Sequence, residues 1–190
     1  ADALIGSAEA NRLEGGAGND RLLGGEGADT LAGGEGADTL DGGAGIDGAD
    51  YAAAGAGGGV RLDGGAGWGM AAGDVLTGIE TVVGSAFADA LIGSAEANRL
   101  EGGAGNDRLL GGEGDDIFVF AGRGFGLDVV EDWTDGADRL DFSAHDGISD
   151  LSDLVIAQSG ADTRILAVND SILLRNATPT DLDAADFIFS

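Results

Sequence analysis

The chain has 190 residues, among them 38 glycines, one proline and no cysteine, and its 35 acidic side chains against nine arginines give a formal net charge of −26. That balance excludes a nucleic-acid surface, which needs clustered basic residues, and the missing cysteines exclude disulfides and thiolate metal sites. No apolar run approaches the roughly 20 residues of a membrane-spanning helix, whereas glycine and carboxylate together suit hard, oxygen-bound cations.

In chain order, the opening ADALIGSAEA is a decayed repeat unit rather than a signal peptide. A start inside a repeat suggests a piece of a longer protein. From Gly15 the chain reads GGAGNDRLL, GGEGADTLA, GGEGADTLD and GGAGIDGAD, four units of the pattern G-G-x-G-x-D-x-U-x, where U is apolar. Residues 1–27 recur unchanged as residues 88–114, so a whole block is duplicated, including the degenerate unit GSAEANRLE at Gly6 and Gly93. Another degenerate unit, GSAFADALI, starts at Gly84. The organisation expected is a first array over 1–50, an insertion over 51–83, a second array over 84–120 and a C-terminal capping region over 121–190.

Within a unit the glycines permit positive φ, so a six-residue turn curls its carbonyl oxygens inward and ends on a carboxylate. The next three residues form a short strand whose middle side chain alone points inward, a place held by Leu22, Leu31, Leu40, Leu100 and Leu109. Two units close one coil, so turns 18 residues apart stack about 4.8 Å from each other, the spacing of neighbouring strands. Asp20 then lies over Asp38 and Asp29 over Asp47. In the insertion, GVRLD and TVV have strand character, and residues 75–83 read as a decayed unit in which Glu80 replaces the aspartate and the roll resumes. In the tail, IFVF, DVVEDW, DRLDF, DLVIA, TRILAV and SILLR read as six short strands of an antiparallel cap. Its core residues are expected to be Phe118, Phe120, Trp133, Phe142, Ile156, Ile165, Leu173, Phe187 and Phe189. The expected fold is all-β: a parallel β-roll stacked by calcium, with an antiparallel β cap.

The nonapeptides resemble the RTX, or haemolysin-type, calcium-binding repeats, and the tail resembles the C-terminal region of serralysin-like proteins. The resemblance implies several Ca²⁺ ions held between stacked turns by carbonyl oxygens and aspartates. Carried over residue by residue, one site comprises Gly16, Gly18, Asp20, Gly33, Glu35 and Asp38, and a second comprises Gly25, Gly27, Asp29, Gly42, Ala44 and Asp47. Weaker candidates are Asp89 and Asp107 with Gly102 and Ala104, and Asn98 and Asp116 with Gly111 and Glu113. The first copy offers the equivalents Asn11 and Asp29 with Gly24 and Glu26, and Asp2 and Asp20 with Gly15 and Ala17. Asp128 is assigned to Asp107 in a last site, and the aspartate-free turn over residues 64–69 (GGAGWG) is expected to bind no ion.

The absence of H-E-x-x-H and G-x-S-x-G motifs argues against catalysis, and the lone His145 reads as a surface side chain. Trp68, in a glycine-rich loop, reads as exposed and able to stack on a sugar ring. The resemblance implies a non-catalytic module of a larger secreted, extracellular protein that folds when calcium is plentiful and whose ending DLDAADFIFS engages type I secretion machinery. The alternative is a calcium-dependent module for acidic polysaccharide, similar to those of mannuronan epimerases.

Overall fold

Three residues between glycine-rich turns are enough for one short strand, and nearly every such segment is one in the computed structural model, which describes all 190 residues. The strands are β1 (Ala3–Ile5), β2 (Arg12–Ala17), β3 (Arg21–Glu26), β4 (Thr30–Glu35), β5 (Thr39–Ala44), β6 (Gly48–Asp50), β7 (Gly59–Arg61), β8 (Val75–Thr77), β9 (Thr81–Val83), β10 (Ala90–Ile92), β11 (Arg99–Glu101), β12 (Arg108–Leu110), β13 (Ile117–Val119), β14 (Leu127–Val130), β15 (Arg139–Asp141), β16 (Leu154–Ser159), β17 (Asp162–Ala167), β18 (Asp170–Leu174) and β19 (Phe187–Ile188). Helical structure is confined to four 3-10 turns of three residues each. No helix is long and apolar enough to cross a membrane.

Successive strands alternate between two faces of a roll. One face is a single eight-stranded sheet in the order β2-β4-β6-β9-β11-β13-β15-β19, parallel throughout. The opposite face is split into a four-stranded sheet, β1-β3-β5-β8, and a seven-stranded sheet, β7-β10-β12-β14-β18-β17-β16. The insertion causes the split. After β6 the chain runs ahead to place β7 beside the later β10, then returns to set β8 against β5 before entering β9. Both arrays therefore share the eight-stranded sheet, and Thr81–Val83 resumes the roll as the sequence indicates.

Register puts the inward residues in columns. Leu31, Ala49, Val82, Leu100, Phe118 and Leu140 follow one another across the long sheet and are buried. Val60, Leu91, Leu109, Val130 and Leu174 do the same on the other face. From β1 to β12 only one apolar residue per strand enters the roll, so its interior there is thin. The bulk of the apolar mass lies at the C-terminal end, where Phe120 stacks against Phe142 at 5.4 Å and meets Phe125 at 5.1 Å between ring centroids.

The antiparallel strands of the tail are β16, β17 and β18. The segments IFVF, DVVEDW and DRLDF, expected among them, pair in parallel instead and extend the roll as β13, β14 and β15. Each keeps an acidic residue two places before an inward apolar one, so it continues the columns even though the turns between have changed length. β18 and β19 join the same parallel ladders through β14 and β15. Phe118, Phe120, Phe142, Ile165 and Phe187 are buried as expected, while Trp133, Ile156 and Phe189 pack on the core from its edge. Leu173 faces outward because its neighbours Ile172 and Leu174 take the inward places.

Candidate metal centre

The strand signature D-x-U-x carries a carboxylate to the edge of every coil. One oxygen of that carboxylate plays the same part in coil after coil, since Oδ1 accepts the backbone N–H of the equivalent residue one coil earlier. Asp38 Oδ1 accepts from Asp20 N at 2.8 Å, Asp47 from Asp29 at 2.7 Å, Asp107 from Asp89 at 2.8 Å and Asp116 from Asn98 at 2.8 Å. Asp29 receives Asn11 N in the same way, and Asp20 receives Asp2 N. The ladder survives changes of spacing. Asp38 N donates to Asp74 over 36 residues, Asp47 N to Glu80 over 33, Asp107 N to Asp128 over 21 and Asp116 N to Asp138 over 22.

The second oxygen divides the turns into two kinds. Oδ2 of Asp20, Asp29, Asp38, Asp47 and Asp107 is buried and has no hydrogen-bond partner. All five close a complete G-G-x-G-x-D turn. In the degenerate turns serine fills the gap. Asp89 Oδ2 accepts from Ser85 N at 2.6 Å and Ser85 Oγ at 2.8 Å, and its Oδ1 accepts from Gly58 N at 2.8 Å. The side-chain oxygens of Asn11 and Asn98 accept from Ser7 N and Ser94 N, each at 2.6 Å. The sixth complete turn, residues 111–116, is covered differently: Asp132 accepts from Gly111 N at 2.9 Å and Gly112 N at 2.8 Å.

Backbone oxygens surround the orphaned carboxylates. The carbonyls of Gly16 and Gly18 face Gly34 and Gly36 of the following coil, while that of Gly33 faces back toward Gly15 and that of Glu35 accepts from Gly18 N at 2.7 Å. These oxygens, with Asp20 and Asp38, lie in the gap between turns 15–20 and 33–38. The arrangement repeats for Gly25, Gly27 and Asp29 against Gly42, Ala44 and Asp47, where Gly27 N donates to Ala44 O at 2.9 Å. It depends on glycine for two separate reasons. Gly36 holds φ at +143°, and a Cβ there would collide with the Gly18 carbonyl; Gly33 is unconstrained in φ, but a Cβ would strike Asp38 Oδ2.

A third such gap lies beyond the second array. Turn 102–107 faces turn 123–128 (RGFGLD), whose Gly124 and Gly126 have positive φ, and Gly105 N donates to Phe125 O at 3.2 Å. Asp107 and Asp128 are thus brought together, as the sequence suggested. Asp89, Gly102, Ala104 and Asp107 also adjoin, yet both oxygens of Asp89 are engaged by protein donors. Asn98 sits above Asp116, Gly111 and Glu113 with its oxygen likewise engaged. At the first coil, Asn11 adjoins Asp29, Gly24 and Glu26, while Asp2, against Asp20, Gly15 and Ala17, leaves its own side chain exposed.

Burial shapes the charge of these groups. Desolvation, reinforced by Asp89, pushes the Asp107 carboxyl up to about 6, and desolvation, reinforced by Asp138, Asp132 and Asp115, pushes Asp116 up to about 6. Desolvation, reinforced by Asp107 and Asp170, raises Asp128 to about 8. Asp20 is instead held below the usual carboxylate range, first by the Asp2 N–H and then by the N-terminal ammonium.

Sequence reading did not single out Asp74, Asp132 or Asp138. DVLT at 74 and DRLD at 138 both match D-x-U-x, so that shorter signature was the available signal. Asp132 precedes no strand and had none. His145 also differs from expectation: it is only 6% exposed, wedged between the edges of Phe125 and Phe142 at 5.9 and 6.2 Å, with neither ring nitrogen hydrogen-bonded.

Residues 1–31, 15–49 and 83–118 match the family model of the RTX calcium-binding nonapeptide repeat, in four copies. Residues 1–49 and 83–118 of this chain carry RTX calcium-binding repeats. No curated protein matches it. Among solved structures, the RTX chain is similar to the extracellular lipase LipA from Serratia marcescens, at 19% identity and a TM-score of 0.47, with 99% of this chain and 40% of the lipase covered. It is also similar to the AlgE6R3 subunit of the Azotobacter vinelandii mannuronan C5-epimerase, at 23% identity and a TM-score of 0.36, covering 97% and 81% of the two chains. The AlgE6R2 subunit of that epimerase gives 23% identity, a TM-score of 0.38 and coverage of 98% and 91%.

The orphaned oxygens fit calcium. A buried carboxylate oxygen without a partner costs about 1–3 kcal/mol or more, and Ca²⁺ takes six to eight oxygen ligands in flexible geometry. No three acidic or imidazole side chains converge anywhere in the chain, so backbone carbonyls must complete the shell. The RTX turns present those carbonyls.

Proposed function

We propose that this RTX chain is a non-catalytic module of a larger secreted protein, folding on calcium outside the cell. The observation that carries the reading is the coincidence of orphaned Oδ2 atoms with complete turns. Five buried, unpartnered carboxylate oxygens disfavour the metal-free roll, and a dication between stacked turns removes that penalty. Metal binding and folding are then one event.

We assign three ion positions. The first is held by the carbonyls of Gly16, Gly18, Gly33 and Glu35 with Asp20 and Asp38. The second uses the carbonyls of Gly25, Gly27, Gly42 and Ala44 with Asp29 and Asp47. The third uses those of Gly103, Gly105, Arg123 and Phe125 with Asp107 and Asp128. The serine-closed turns at Ser7, Ser85 and Ser94 need no ion, because hydrogen bonds already satisfy Asn11, Asp89 and Asn98.

Low cytosolic calcium keeps such a chain extended and able to thread a type I exporter, and calcium outside locks it. The strongly acidic composition, with a net charge of −26, supports this by disfavouring compaction without cations. Native mass spectrometry of the calcium-loaded chain tests the assignment. Loss of one ion in each of Asp38→Ala, Asp47→Ala and Asp128→Ala, with no loss in Asp89→Ala, is the expected pattern. An ion lost from Asp89→Ala and retained in Asp128→Ala would overturn it.

A further inference from the structure

We propose that the groove between Trp68 and Phe87 is a subsite for a neutral sugar ring, separate from the ion positions. The groove has a volume of about 550 Å³, and its floor is formed where β7 meets β10. Two aromatic side chains stand on its rim, each 47% exposed. Both occupy places where sibling units carry something else. Phe87 is the fourth residue of GSAFAD, and the two copies of the sister unit GSAEAN have Glu9 and Glu96 there. Trp68 is the fifth residue of GGAGWG, the only glycine-rich turn of the chain to carry an aromatic at that place.

The indole is held ready. Trp68 and Gly59 exchange backbone hydrogen bonds at 2.8 and 3.1 Å, and the ring lies flat over Gly59, where any side chain would collide with Cε2, Cζ2 and Cη2. One face is therefore packed on the backbone and the other is open to solvent. A preorganised aromatic face suits the C–H surface of a pyranose, and Trp offers large contact area at little entropy cost.

The polar groups that line the groove beside the two aromatics favour hydroxyls over carboxylates. Arg108 has its charge matched by Glu131 Oε1, which lies 2.9 Å from both Nε and Nη2, leaving Nη1 as a free donor. Asn106 uses its Oδ1 to accept from Leu127 N at 3.0 Å, so its amide N–H₂ is free to donate. Asp89, in the floor, is spent on Ser85 and Gly58. With no unpaired cation in the groove and a net charge of −26 around it, an anionic glycan is repelled and a neutral one is not.

Isothermal titration calorimetry of the calcium-loaded chain with cellohexaose and with maltohexaose tests this, with polygalacturonate as the acidic arm. Saturable binding of at least one neutral oligosaccharide is expected, weakened about tenfold or more by Trp68→Ala and by Phe87→Ser, since each removes a large apolar contact face. Ile46→Ser, at another exposed apolar turn position, should bind as the parent does. Circular dichroism in calcium and ion counting by mass spectrometry should be unchanged in all three variants, which separates failure here from failure of the ion assignment. Absence of binding to both neutral sugars, binding to polygalacturonate alone, or undiminished affinity in Trp68→Ala would each overturn the proposal.

Discussion

Replacing Asp38 by Asn should move stability in opposite directions with and without calcium. The side chain keeps its shape, and its remaining oxygen still accepts the Asp20 N–H, a bond of 2.8 Å. What disappears is the negative charge and the orphaned Oδ2, in a residue only 1% exposed. Without metal, exchanging an unsatisfied buried acceptor for an amide N–H₂ that can donate to the surrounding backbone carbonyls returns about 1–3 kcal/mol to the folded state. With metal, the ion loses one of two charged ligands. Even outer-shell changes cost metal sites about 10- to 100-fold in affinity, so the calcium midpoint should rise at least that far, about 1.4–2.7 kcal/mol per ion. The assay is circular dichroism under two regimes: folding by an excluded osmolyte in chelator, which strengthens burial without supplying ions, and calcium titration without osmolyte. The variant should need less osmolyte and more calcium than the parent. If it needs more of both, Asp38 is a structural hydrogen-bonding group, and the orphaned-oxygen argument fails.

Ser85→Ala removes the hydroxyl bond to the Asp89 carboxylate and loosens the backbone one beside it, so calcium-loaded stability to urea should fall by about 1.5–3 kcal/mol with the ion count intact; loss of an ion would contradict a hydrogen-bonded lock. Gly36→Ala forces a Cβ into the Gly18 carbonyl at φ +143° and should abolish the first ion position, as read by mass spectrometry. On pH the sign follows from burial. Asp107 and Asp116, near 6, and Asp128, near 8, have folded-state values above the unfolded ones, so the metal-free roll gains stability as pH falls through that range and loses it as pH rises. Calcium competes with the protons on Asp107 and Asp128, so the calcium midpoint should rise as pH falls below about 8 and more steeply below about 6; metal-free β signal that weakens on going from pH 8 to pH 5 would refute the assignment. Glu80→Ala should unseat the join between the arrays by freeing Asp47 N, whereas Glu80→Gln, which keeps an acceptor, should restore most of the loss in urea unfolding.

The parallel roll was legible because its period is written in residue identity: Leu22, Leu31, Leu40, Leu100 and Leu109 hold the same place in their units and all are fully buried. The turns were equally readable where glycine and aspartate are both present. Reading failed where a turn changed length while the strand signature survived. DVVEDW and DRLDF looked like cap strands because their spacing had left the nonapeptide, yet an aspartate followed two places on by an apolar residue was enough to keep β14 and β15 in the roll. The role of Ser85 and Ser94 was hidden for another reason. A serine reads as a lost glycine until its hydroxyl and N–H are seen on Asp89 and Asn98. His145 lies between phenylalanines distant in sequence, and no local pattern reports that.

The carboxylate ladder is also an arrow. Outside the insertion, each turn donates its N–H to a carboxylate that belongs to the following coil, from Asp2 and Asp20 at one end to Asp116 and Asp138 at the other, whereas Asp74 N and Glu80 N turn back to the carbonyls of Ala71 and Asp47. A coil that forms before its successor is therefore left unfinished, whereas one that forms after it finds the acceptor already in place. Completion is easiest when it starts at the phenylalanine-rich end, which supplies its own cohesion, and travels backward toward Ala1.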